Sequence, residues 1–220
     1  CNVIMHLDEK KWTKNKIAMK AYQIGHDILK WGIGKQDEFA SAYGGFNIFK
    51  FTKDKVTVTP ISLKKSTQNE LENNSLLFRL GDRKHSAGIL KSQIKAINRS
   101  DPTTLDALHN AKNLTLKMRD ALRQNDLVSF YEIINEGWKF KKKFAKGVSN
   151  TNIDNISKLI FSNGANAVKV TGAGGGGHMY VYAEPKKHNM IKKELKKIGV
   201  LHVDFKFQKA GAVIFDVNNL

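Results

Sequence analysis

The sequence is poor in several things, and each shortage closes a class of function. Cysteine occurs once in 220 residues, at Cys1, so no internal disulfide framework can be drawn and no Cys-x-x-Cys metal clip exists. The seven histidines include no His-x-x-x-His pair, which makes a zinc site improbable. No run of eighteen or more apolar residues is present, and no charged segment leads into an apolar one as in a secretory leader. Neither membrane insertion nor export is therefore expected, and a reducing, cytoplasmic setting is. Arginine is scarce as well: only Arg79, Arg83, Arg99, Arg119 and Arg123, scattered along the chain. That scarcity matters because the net charge is +17, with a pI near 9.8, which would otherwise point to nucleic acid. Base readout leans on the bidentate fork of arginine, whereas this charge is lysine spread over nearly every expected element. In the densest cluster, Lys141, Lys142 and Lys143 would fan over roughly 200° of a helix and cannot share one groove. A solvated basic surface is the better reading, and an anionic small substrate is compatible with it.

What is present is enough apolar material, 41% of the residues, to bury a core in one large or two small domains. The first residue is cysteine, and the apolar Val3, Ile4, Met5 and Leu7 follow at once, which reads as an element already under way with a segment missing before it. Ile17, Ala18, Ala21, Tyr22, Ile24 and Ile28 then form one helical stripe. Two β-rich runs, 46–51 and 56–61, flank a four-residue turn and predict a hairpin, with Pro60 marking an edge or an exit. The polar stretch 64–74 is the best linker in the chain, dividing residues 1–63 from 75–220. The second part opens on a strand over 75–80 and a helix over 84–98. Asp101 and Pro102 then cap a helix striped by Leu105, Leu108, Ala111, Met118 and Leu122. A helix over 127–144 with Phe130, Ile133, Ile134 and Trp138 follows, and another that uses Ile153, Ile156 and Ile160 and stops at Gly164. Strands over 167–170 and 178–183, a helix over 187–197, an alternating strand over 201–207 and a last strand over 212–217 complete it. The class is α+β with an antiparallel or mixed sheet.

Two segments carry chemistry. Gly172, Gly174, Gly175, Gly176 and Gly177 lie between two strand-like runs. No Gly-Lys-Ser or Gly-Lys-Thr follows, so this is no Walker A loop, and a strand stands where a dinucleotide fingerprint needs a helix. Two glycines would suffice for a tight hairpin; five point to a loop packed against a ligand or another loop. The other segment is Gly34, Lys35, Gln36, Asp37, Glu38, followed by Gly44 and Gly45. It reads as a helix start whose first turn bears an acid. Such a carboxylate either caps the helix or accepts a proton from a bound hydroxyl.

Together the runs GKQDEFASAYGGFNIFKF (34–51) and KVTGAGGGGHMYVYAEP (169–185) resemble the middle and last signature segments of the GHMP kinases, and within them the heptose 7-phosphate kinases. The segment TLDALHNAK (104–112), and Trp138 with Lys141 to Lys143, fall where that subfamily has similar residues. The resemblance covers about 17–211 and implies a two-lobed architecture: a remnant of the N-terminal domain, then a C-terminal α+β domain with helices on one face of its sheet. It implies phosphoryl transfer from ATP, with Mg2+, to a hydroxyl of a phosphorylated sugar. By likeness Asp37 would be the base; Lys35, Gln36, Gly44, Gly45, Arg83 and Ser86 would serve the substrate; and the glycine loop would buttress phosphate loop and substrate. Two departures stand out. The family's Gly-Leu-Gly-Ser-Ser loop for ATP is absent from these 220 residues, and Gly25 occupies the position of its magnesium-binding glutamate. Asp27 or Glu38 could substitute, or phosphates and water alone could hold the metal, so no metal ligand is named; an impaired or purely binding remnant is the alternative to an enzyme.

Overall fold

The computed structural model describes residues 12–81 and 86–213, which fall into two compact units: one from residues up to 62 together with those from 207 onward, the other from 63 to 206. Arg83, the apolar run at 3–7 and most of the strand expected at 212–217 lie outside the described residues.

The first unit starts with helix α1 (Lys14–Gln23), whose cap is Thr13, its hydroxyl accepting from the Lys16 amide at 3.3 Å. A π-helical turn (Ile24–Ile28) continues it. The wider turn inserts a residue and breaks the 3.6 period, so the expected stripe ends early: Ile17 and Ala18 are buried while Ile28 is 67% exposed. Helix α2 (Gln36–Tyr43) packs on α1 through Phe39 and Ala42. The hairpin forms as the sequence predicts, β1 (Asn47–Phe51) pairing antiparallel with β2 (Val56–Pro60), and the Phe39 ring meets Tyr43, Phe49 and Phe51 at centroid distances of 6.1, 6.3 and 5.8 Å. Residues 207–213 return to this unit. The Gly45 amide donates to the Gln208 carbonyl at 2.8 Å, the Ala212 amide donates to the Ala42 carbonyl at 3.0 Å, and Phe46 meets Phe207 edge-on.

The second unit opens on helix α3 (Lys65–Asn73), which corrects the linker expected at 64–74. Its polarity is one-sided: Leu71 and Thr67 are buried while Lys65, Asn69 and Glu70 face out, a pattern that a composition count averages away. After β3 (Ser75–Gly81) come α4 (Ser86–Asn98), α5 (Pro102–Gln124) and α6 (Leu127–Lys141), the last two capped by Asp101 and Asp126 carboxylates on the amides of Thr104 and Ser129. Helix α7 (Thr151–Ser162), β4 (Ala167–Val170), β5 (Gly177–Tyr182), α8 (Pro185–Lys197) and β6 (Leu201–Val203) follow. The strand expected over 201–207 is thus cut short at Val203.

The sheet runs β4-β5-β3-β6 and every pair is antiparallel. Val168, Val170, Met179, Val181, Leu76 and Phe78 alternate onto one face and bury against Ile153, Ile156 and Ile160 of α7 and Ile191 and Leu195 of α8. The edge strand β4 is covered by α6: Asn135 donates to the Asn166 carbonyl at 2.8 Å and accepts from the Val168 amide at 3.2 Å. At the opposite edge His202 sets its ring against Phe78, centroids 5.6 Å apart.

Two outcomes follow. Because Leu71 is only 1% exposed, Leu71→Ala should cost about 2–5 kcal/mol in urea unfolding, where a residue of a solvated linker would lose almost nothing. Burial, with Lys192 next, lowers the pKa of His202 below its ordinary 6.5, so the fold prefers the neutral ring. That stability is present above about 6.5 and is lost as pH falls through the lowered value; Tm measured from pH 8 to 5 should drop less in His202→Phe than in the wild type.

Candidate active site

The acid-bearing segment lies in the first unit. Lys35 is the residue before α2 and holds its ammonium 5.2 Å above the Tyr22 ring, itself stacked on His26 at 5.0 Å. Gln36 and Asp37 are exposed in the first turn of α2, so the Asp37 carboxylate is open to a ligand. The next residue, Glu38, is half-buried, and its Oε2 is sealed from solvent without a hydrogen-bond partner, a feature that sequence reading did not anticipate.

At the other end of α2 the paired glycines have a packing reason. Gly44 takes φ +65°, and a Cβ there would stand 2.8 Å from both the Lys209 carbonyl oxygen and the Gly211 Cα. A Cβ on Gly211 would in turn stand 2.5 Å from the Ala42 carbonyl oxygen, so two backbones touch where neither tolerates a side chain. Lys14 ties the same contact, donating to the carbonyls of Tyr43 at 3.0 Å and Ala210 at 2.8 Å.

Gly25, where a metal-binding glutamate was expected by likeness, is buried in the π turn. A Cβ there would stand 2.5 Å from Ile33 Cδ1. The nearby Asp27 carboxylate is engaged by His26 Nδ1 at 2.8 Å. Among the described residues no group of three His, Cys, Asp or Glu side chains could hold a metal ion.

The glycine loop joins β4 to β5 in the second unit, and all five of its glycines have positive φ. It packs on another loop, the backbone around Gly147 and Val148. The Gly175 amide donates to the Val148 carbonyl at 2.9 Å, and a Cβ on Gly174 would lie 2.6 Å from that same oxygen. Lys141, from the end of α6, donates to the Gly172 carbonyl, which fixes one end of the loop. Thr171 fixes its base, amide and hydroxyl both donating to the His178 carbonyl at 2.9 and 3.2 Å. Of the remaining predicted residues, Ser86 opens α4, and Arg83 lies outside the described residues. Sequence reading missed Lys141 as an anchor because a run of three lysines gives no sign of which one turns inward.

Residues 118–200, which contain the whole glycine loop, match the family model described as GHMP kinases C terminal. The chain carries a GHMP kinase C-terminal domain. Over 198 residues, 89% of this chain and 58% of the relative, it is 35% identical to the D-glycero-alpha-D-manno-heptose 7-phosphate kinase of Campylobacter jejuni. It is 25% identical over 189 residues to the L-fucokinase/L-fucose-1-P guanylyltransferase of Bacteroides fragilis, covering 84% of this chain and 20% of that protein. The crystal structure of a D-glycero-D-manno-heptose 1-phosphate kinase from Bacteroides thetaiotaomicron superposes with a TM-score of 0.71 at 25% identity, over 98% of this chain and 60% of that one. The chain thus spans less than two thirds of the length of these relatives. The α+β class and the GHMP kinase architecture expected from the sequence agree with these likenesses. In this GHMP kinase C-terminal domain the glycine loop joins five positive-φ glycines to a close backbone contact at Val148. Gly174→Ala places a methyl against the Val148 carbonyl at φ +97° and should cost about 1–3 kcal/mol in urea unfolding.

Proposed function

We propose that this chain belongs to a sugar kinase that moves the γ-phosphate of ATP onto a hydroxyl of a heptose phosphate, D-glycero-D-manno-heptose 7-phosphate or a related sugar, in the cytoplasm. The observation that carries the reading is the 35% identity to a heptose 7-phosphate kinase across 89% of the chain. The two units would be the end of such a kinase's N-terminal domain and its C-terminal domain. Among the described residues no helix is long and apolar enough to cross a membrane.

Phosphoryl transfer asks a protein mainly to position anions and offset their charge. Asp37, exposed in the first turn of α2, would orient the attacking hydroxyl and accept its proton, with Lys35 and Gln36 beside it for the sugar. Gly44 and Gly45 set the end of that helix and would border the sugar, while Arg83 and Ser86 would contribute on the substrate side. The loop 172–177 would support the phosphates. Magnesium would arrive on the nucleotide's phosphates, since Gly25 supplies no ligand.

That same glycine, buried beneath Ile33, favours a second reading in which the chain keeps the fold and binds without catalysing. Asp37→Asn decides between them. In the kinase reading kcat for heptose 7-phosphate falls by about 10²–10⁴ with little change in KM, measured by coupled ADP release. Unchanged turnover in the variant removes Asp37 from the mechanism, and no turnover in a wild-type chain extended to include a Gly-Leu-Gly-Ser-Ser loop leaves the binding reading.

A further inference from the structure

Strand alternation divides the sheet of the second unit into two unlike faces. Once Leu76, Phe78, Val168, Val170, Met179 and Val181 point into the helix-covered core, the register sets Lys169, Tyr180 and Leu77 side by side on the other face. Arg79 and His178 form the next pair on that face, toward the glycine loop. Lys169 is half-buried, and among the described residues no ion pair or hydrogen bond engages it. None of the four strands contains an aspartate or a glutamate. Burial lowers the pKa of the Lys169 ammonium, and no neighbouring carboxylate offsets the shift. Its cross-strand partner is Tyr180, whose OH is bonded to Ser75 Oγ at 2.8 Å, and Thr171 follows just past the end of β4, its hydroxyl donating to the His178 carbonyl at 3.2 Å.

A cation held out of water without a counter-ion is costly, and the cost disappears when an anion joins it. Lysine, a compact charge with three donors, suits a tetrahedral oxyanion. The strand that carries it runs two residues later into the glycine loop, so the anion would lie on the loop's side of the sheet. We propose that the outer face of β4 and β5 around Lys169 binds a phosphate group. The kinase reading supplies two candidates, the phosphate that the sugar already bears and a phosphate of the nucleotide, and the inference rests on that reading only for the choice between them.

The test titrates inorganic phosphate into the 220-residue chain while the ¹³Cε signals of its lysines are followed by NMR. One signal, assigned to Lys169 by its loss in Lys169→Met, should move with phosphate. The apparent Kd should rise about 10- to 100-fold in that variant and recover in part in Lys169→Arg. Methionine matches the length of the lysine stem and removes an unpaired charge, so the variant should unfold at the same or a higher temperature; if it does not fold, the loss of the same lysine signal in Lys169→Arg supplies the assignment. Heptose 7-phosphate and a non-hydrolysable ATP analogue are then added as competitors. Displacement by the sugar phosphate assigns the acceptor's phosphate to the site, and displacement by the analogue assigns the donor's. An unmoved Lys169 signal or unaltered affinity in Lys169→Met overturns the proposal, and displacement by neither overturns the assignment of the site to a kinase substrate. Phosphate binding without sugar phosphorylation sinks the kinase reading alone.

Discussion

The alternation of one antiparallel sheet governs most of what the second unit does. Six apolar side chains from β3, β4 and β5 must share a face so that α7 and α8 have something to bury against, and that single requirement fixes the register of all three strands. Fixing the register also fixes where β4 stops and β5 starts, hence the span the glycine loop must bridge. It leaves the opposite face to Lys169, Tyr180 and Arg79. A slip of one residue would turn lysine inward and valine outward, so the core and the outer face are specified together.

The first unit relies on a different constraint, the approach of two backbones. Between Gly44 and Gly211 there is no room for a side chain on either strand of chain, and the Lys14 ammonium holds carbonyls from both sides. Cation and carbonyls sit at the C-terminal end of α2, where the helix dipole favours positive charge. Asp37 stands at the other end of the same short helix, so the contact at Gly44 also sets the direction in which the acid is presented.

Much of this was legible in the sequence, for reasons that can be named. The cap at Asp101 is legible because a short polar side chain before a proline and a helical stripe has few other uses. The hairpin, the strands around the glycine loop and the α+β class followed from period and turn chemistry. What failed was whatever depends on partners far along the chain. Helix α3 reads as a linker in the sequence because its buried face is only Thr67 and Leu71, and nothing local says that Asn125, far along the chain, meets Thr67. Val203 ends its strand although the alternation runs on to Phe207, which belongs to the first unit and meets Phe46 there. In the site, residue types and order were visible, but the anchoring of the loop by Lys141 and Val148 was not, because it joins positions some thirty residues apart.

The return of residues 207–213 to the first unit gives the two units different histories on the ribosome. The second, continuous from 63 to 206, has all its parts as soon as residue 206 has emerged, whereas the first must wait for a segment made some 150 residues after its own hairpin. Until then the α2 helix lacks the neighbours of Gly44, and the aromatic cluster around Phe39 is missing the segment that closes its edge. The later-synthesised unit can therefore be the earlier one to fold, and the acid at position 37 reaches its final setting only when synthesis of the described residues is complete.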